Sequence, residues 1–226
     1  MNLNALLDSI ADPTVWIIVP YLWAMQYAKY VLLSIIIAII IWYVIREVVI
    51  KPVKETAAII SKHRKGVHDA LATLPEEYCI FDNVAVGKSG SIVAADRVII
   101  SPHGVLVIQE EYYVGIISGA DCYRQWDIEL FGHHGKMRNP IDRACQSAKG
   151  LAEVIGIDET YILPIVVFPD ETVLKTNTKI PVVNLRNLTE TVKGYQNTMF
   201  SDDDTQTLID RINVSMLIGE NLKEHV

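Results

Sequence analysis

The chain has 226 residues, half of them apolar, and a formal net charge of −7. That length allows one ordinary domain plus an accessory segment. Residues 1–51 hold three bases and three acids, which leaves 17 bases against 24 acids in residues 52–226, a balance of −7. By composition, the larger part lacks the basic excess of proteins that grip nucleic acid without regard to sequence.

Residues 1–27 form an apolar segment. Its stretch "TVWIIVPYLWAMQYA", residues 14–28, is rich in Trp and Tyr but too close to Lys29 for a second span. An interfacial helix on the outer side, bent at Pro20, fits it best. Residues 30–45, "YVLLSIIIAIIIWYVI", carry no charge and are bracketed by Lys29 and Arg46. With snorkelling flanks and the apolar Val48, Val49 and Ile50, residues 28–51 are predicted to form one transmembrane helix. A cleaved signal sequence is disfavoured, because the first 28 residues hold Asp8 and Asp12 and no base. Arg46, Lys51, Lys54, Lys62, Arg64 and Lys65 follow the span, and only Lys29 precedes it. The positive-inside rule therefore places the main domain of a single-pass protein in the cytoplasm. Cys79, Cys122 and Cys145 show no CxxC spacing, which agrees with a reducing compartment.

Apolar residues recur at helical spacing over 52–75 (Ala57, Ile60, Val67, Leu71, Leu74), giving a membrane-proximal helix that Leu74-Pro75 ends. The soluble domain proper is expected over 76–196. Residues 78–86 read as a strand, 87–91 as a loop, and 92–111 as two strands joined by a tight turn at Ser101-Pro102-His103-Gly104. Residues 123–139 read as a second hairpin. Pro140 opens a helix that runs to about Ile155. Residues 161–168 and 180–185 read as strands, and Asn187 is expected to cap a helix over 188–195. The segment 197–226 carries a last helix, with Asp202, Asp203 and Asp204 complementing its dipole and Leu208, Ile209, Ile212 and Met216 on one face. His133 and His134 are neighbours in a hairpin, so they point to opposite faces and are a poor pair for one ion.

One strand ends unusually. "VLVIQEE", residues 105–111, runs from a buried apolar stretch straight into Gln109, Glu110 and Glu111. Alternation puts Gln109 and Glu111 on one face and Glu110 on the other, solvated or paired with a base. Pairing Ile100 with Val105 across the turn sets Asp96 opposite Gln109. Asp96, Gln109 and Glu111 are thus candidates for a site at which Mg²⁺ would bind and promote phosphodiester hydrolysis. A carboxylate that merely contacts a turn or a helix is the other reading of Asp96.

The order "LPEEY…NV", "ADRVIISPHGVLVIQEEYYVGIISG", Trp126, Asn139-Pro140 and "YILPIVVFPD" resembles the nuclease-related domain, NERD, over about residues 63–185. The resemblance implies an α/β fold with a mixed central sheet flanked by helices, restriction-endonuclease-like and similar to the PD-(D/E)xK enzymes, here preceded by an amino-terminal transmembrane helix. It also implies a catalytic strand ending in Glu, any residue, then Lys. In this chain those positions hold Gln109 and Glu111. The Gln and His that the family places after its Asn-Pro pair are Arg143 and Ser147, and an acid of the first helix falls at Arg64. Asp96 is the one polar position that keeps the pattern. Some nucleases of this fold use Glu at the Lys position.

The expectation is a membrane-anchored module with a vestigial site at Asp96, Gln109 and Glu111 and no cofactor. It would serve interaction or sensing, with the membrane and an unidentified protein as partners. The competing expectation is an active Mg²⁺-dependent endonuclease in which Asp96 and Glu111 hold the metal and nucleic acid is the substrate. A third is a membrane effector that forms homo-oligomers through its amino-terminal helices.

Overall fold

The computed structural model describes residues 13–47, 51–88 and 91–223. The chain forms two compact units, residues 1–58 and residues 59–226.

In the first unit helix α1 runs over Pro13–Ile45. Met25–Ile45 is long and apolar enough to cross a membrane, with a mean hydropathy of 2.4 and no burial within the protein. The expected interfacial helix is not separate from the span: α1 passes unbroken through Pro20. A proline forfeits one backbone hydrogen bond near the start of a long apolar helix, and the remaining bonds carry the helix past it. Helix α1 runs to Ile45, a π-helical turn follows at Arg46 and Glu47, and residues 48–50, near the expected end of the span, lie outside the described residues.

A second helix, α2, spans Lys51–Leu71. It closes with Leu74 N–H donating to the Leu71 carbonyl, just ahead of Pro75. Among the described residues nine strands follow: β1 Cys79–Lys88, β2 Ser91–Ser101, β3 Gly104–Glu110, β4 Gly115–Ala120, β5 Gln125–Leu130, β6 His133–Arg138, β7 Ile162–Phe168, β8 Thr172–Asn177 and β9 Val182–Asn184. Helix α3 is Pro140–Ile155, α4 is Leu185–Lys193 and α5 is Asp202–Lys223.

The strands make two mixed sheets flanked by helices, in keeping with the mixed α/β fold expected. The larger has the order β1-β2-β3-β7-β9, antiparallel through β3 and parallel from β3 to β9. The smaller is β6-β5-β4-β8, with β4 and β8 parallel. Neither β4 nor β8 was expected. β4 carries Gly115 and Gly119, and β8 is mostly polar, so neither has the branched apolar alternation that marks a strand.

Helices cover both faces of the larger sheet, and the period-2 side-chain pattern sorts the core accordingly. On β3, Leu106 and Ile108 pack with Val67 and Leu71 of α2 and Leu188 and Val192 of α4. Val105 and Val107 face the other way, against Ala148, Leu151 and Ile155 of α3 and Leu208 and Ile212 of α5. A third cluster joins Ile117, Trp126 and Met137 of the smaller sheet to Ile141 and Ala144 of α3 and to Val166 and Phe168 of β7. Trp126 is fully buried, and its indole N–H donates to the Ala120 carbonyl at 3.1 Å.

The helix ends follow local chemistry. Asn139 accepts from Ile141 N–H at 3.0 Å, and its amide donates to the carbonyls of Asp121 and Tyr123, which ties the start of α3 to the β4–β5 turn. Ser201 and Asp204 cap α5 reciprocally: the Asp204 amide donates to the Ser201 hydroxyl, and the Ser201 amide and hydroxyl both point at the Asp204 carboxylate. The expectation for Asn187 is corrected. Helix α4 begins earlier, at Leu185, with Asn184 in the capping position. The Asn184 amide turns inward to the Pro169 and Thr172 carbonyls, and Asp170 instead accepts from the Arg186 amide at 2.8 Å.

Candidate functional site

The β2–β3 hairpin sets the site. Ile100 pairs with Val105 and Arg97 with Ile108, so the next residues outward, Asp96 and Gln109, meet across the pair. The Gln109 side-chain amide donates to Asp96 Oδ2, and the Glu110 backbone N–H donates to the same oxygen at 2.9 Å. Because Asp96 only accepts, the NH₂ end of Gln109 must face it. Glu111 continues the same face of β3. Its Oε1 accepts from an Arg143 guanidinium nitrogen 3.0 Å away, and that nitrogen lies 3.4 Å from the Glu110 carbonyl. Arg143 comes from α3, whose Ser147 hydroxyl donates to the Ala94 carbonyl at 2.8 Å and fixes the helix over β2. A cavity of about 270 Å³ opens at this place, lined by Asn83, Asp96, Gln109 and Arg143 among others. Asn83 sits in the left-handed region, with φ of 51°. Asparagine tolerates that conformation better than most side chains.

The opposite face of the same strand end holds a second polar cluster. Glu110 is buried there and accepts from Arg97 Nε at 2.7 Å. Of its two expected fates, solvation and a basic partner, it takes the partner. Arg97 also pairs with Asp82, its register partner on β1, and donates to the Arg64 carbonyl of α2 at 3.1 Å. The Tyr112 hydroxyl donates to Glu110 Oε2 at 3.3 Å, and the Arg64 side chain bonds Tyr112. Thus Arg64 and Arg143 serve different faces: Arg64 lies with Tyr112, and Arg143 lies against Glu111.

Burial dominates the protonation of both glutamates. It pushes the Glu111 carboxyl up to about 7; Arg143 pulls the other way and Asp96 reinforces the rise. It raises Glu110 too, against the downward pull of Arg97. His63, almost fully buried on α2 with its ring edge-on to Tyr112, is lowered by desolvation.

The Mg²⁺ that the placement of Asp96, Gln109 and Glu111 suggested does not suit this donor set. A hard dication wants ionised oxygens. Gln109 presents N–H donors towards Asp96 rather than an oxygen. Glu111 is paired with a guanidinium and titrates near neutrality. Among the described residues, no three His, Cys, Asp or Glu side chains converge on one point.

The hairpin, its register and the two-sided placement of Gln109, Glu110 and Glu111 were readable in advance. Arg97 and Asp82 were not singled out. A signal existed, since a charge inside the apolar run "RVIIS" must find a partner once the strand is buried. His133 and His134 lie exposed on β6, opposite Leu130 and Glu129.

The fold is an α/β domain with two mixed sheets flanked by helices, and a carboxylate-bearing hairpin end forms its polar centre. The nuclease-related domain (NERD) family model matches residues 61–169, from the second half of α2 through β7, so this part of the chain is similar to a nuclease-related domain. An uncharacterized protein of Bacillus anthracis is 22% identical over 157 residues, covering 67% of this chain and 74% of that protein. No solved structure matches.

Proposed function

We propose that the protein is a membrane-anchored NERD-like module that has lost nuclease chemistry and serves interaction or sensing, with its main domain in the cytoplasm. One observation carries the reading. The cation at the candidate site is the protein's own Arg143, held 3.0 Å from Glu111 and 3.4 Å from the Glu110 carbonyl. A tethered guanidinium in that place competes with a free dication for the same oxygens. Its partners are the membrane and a protein.

The test is a Mg²⁺ and Mn²⁺ titration of the full chain in detergent, with metal binding and DNA cleavage followed together. The unaltered protein is expected to bind either metal weakly and to cleave nothing above background. The pair Gln109→Glu and Arg143→Gln adds a carboxylate and removes the competing guanidinium, and is expected to tighten Mn²⁺ binding at least about tenfold. Metal-dependent cleavage by the unaltered protein, abolished by Asp96→Asn or Glu111→Gln, would establish the nuclease instead.

Topology is tested separately. Residues 30–45 are uncharged and the bases follow them. A membrane-impermeant thiol reagent on intact cells is expected to label a cysteine placed at Asp8 and to spare one placed at Lys175. Labelling at position 175 would reverse the orientation.

A further inference from the structure

The β5–β6 hairpin ends in a feature that neither the candidate site nor the core uses. Its turn residues, Phe131 and Gly132, both have positive φ, 50° and 78°. A two-residue hairpin turn of this kind favours Asn-Gly, because the first position penalises a bulky side chain. This chain places a phenylalanine there. Phe131 is 93% exposed, the most exposed large apolar side chain among the described residues, and Leu130 beside it is 39% exposed. Fold stability explains neither the residue type nor its exposure, since the ring covers no core and the backbone is strained to hold it.

The surroundings say what the tip meets. His133 and His134 follow the turn, both exposed, and Lys136 lies two residues further along β6. On β5, Glu129 stands opposite His134, and Asp127 is paired with Lys136 at 2.8 Å. An apolar point flanked by exposed polar imidazoles suits the boundary between lipid headgroups and acyl chains. The same chain carries Met25–Ile45, apolar enough to span a bilayer. A tether raises the effective concentration of a weak second contact, so one aromatic ring suffices.

We propose that Phe131 and Leu130 form a membrane-inserting tip through which the β5–β6 hairpin docks on the bilayer that the amino-terminal helix spans. The proposal rests on the membrane-anchor reading. A lipid surface is favoured over nucleic acid, because residues 52–226 carry a balance of −7, 17 bases against 24 acids. A second copy of the chain at the exposed edge strand β6 is the other occupant to test.

The experiment uses the full chain in phosphatidylcholine vesicles, with and without lipid brominated high on the acyl chain. Trp23 and Trp42 of α1 report the anchor by their quenching in the unaltered protein. Phe131→Trp adds one indole at the tip, and Val173→Trp adds one on an exposed stretch of β8 as a control. The expected result is extra quenching and a blue-shifted increment for position 131 and neither for position 173. Quenching of the unaltered protein with no increment at 131 would overturn the docking tip alone. A chain whose own tryptophans escape quenching would remove the anchor and the proposal with it. An increment that shifts with protein density but is indifferent to bromine would mean copy-to-copy contact, and one that needs added DNA would mean a nucleic-acid wedge. Either overturns the lipid assignment. Phe131→Asn is expected to keep or raise the unfolding temperature, because it relieves the turn. A lower temperature would show that the ring packs within its own fold and would end the proposal.

Discussion

Arg97→Met is expected to cost about 3–5 kcal/mol of stability, read from the chemical unfolding midpoint of the full chain in detergent. The reason is the partner left behind. The Glu110 side chain is 1% exposed, and its bond to Arg97 Nε is 2.7 Å long. Methionine fills the aliphatic volume but supplies no donor, so Glu110 keeps only the 3.3 Å contact from the Tyr112 hydroxyl. The Arg64 carbonyl also loses its 3.1 Å partner, loosening α2 from β2. Asp82 contributes little to the loss, because its side chain is 39% exposed and returns to water. Burial already raises the Glu110 carboxyl above the usual range while Arg97 is present. Without Arg97 it rises further, so the penalty is small in acid and grows as the pH climbs. The double variant Arg97→Met, Glu110→Gln is expected to recover at least half of the loss, because no buried charge remains. A cost below about 1 kcal/mol for the single variant would mean that water reaches the pair.

This network also marks the limit of what the sequence discloses. The β2–β3 hairpin was legible because its turn residues and its alternation agree, and the register then followed from one pairing, Ile100 with Val105. The same arithmetic placed Asp96 beside Gln109. Alternation also separated Glu110 from its neighbours, but it could not say which base would meet it, since Arg97 reaches it diagonally across the strand pair. The second sheet was hidden for a different reason. β4 pairs with β8 across more than fifty residues, and its glycines serve close packing rather than a turn: a side chain at Gly119 would run into the Trp126 ring, and one at Gly115 into the Glu129 carbonyl. Neither requirement leaves a local trace. The helix over 13–45 was misread at Pro20, where a residue that usually breaks a helix was outweighed by the apolar run on both sides.

Glu111→Gln is expected to stabilise the protein in a pH-dependent way, by about 3 kcal/mol at pH 8 and by almost nothing at pH 4.5. In the unfolded chain the carboxyl titrates near 4.5; in the fold, burial pushes it up to about 7. Between those values the folded state holds a proton that the unfolded state has released, so stability falls as the pH rises. The contribution is fully present below 4.5 and is lost on passing through 7. Glutamine cannot ionise and escapes that loss. The side chain is only 10% exposed, so solvent screens little of the effect. Arg143 gives back a part of the gain, but its own side chain is 55% exposed and finds water when the carboxylate is gone. His63 works in the opposite direction, since burial keeps its imidazole neutral and costs stability as the pH drops below 6.5. Glu110 and His63 are common to both proteins, so the difference between their unfolding midpoints isolates Glu111. That difference should open between pH 4.5 and 7 and then level off; a gap independent of pH would sink the assignment. The same proton bears on function, because a carboxyl that is half neutral near pH 7 and faces a guanidinium contributes little charge to a dication. The unaltered protein should therefore bind Mn²⁺ more tightly at pH 8.5 than at pH 6, and Glu111→Gln should erase that dependence.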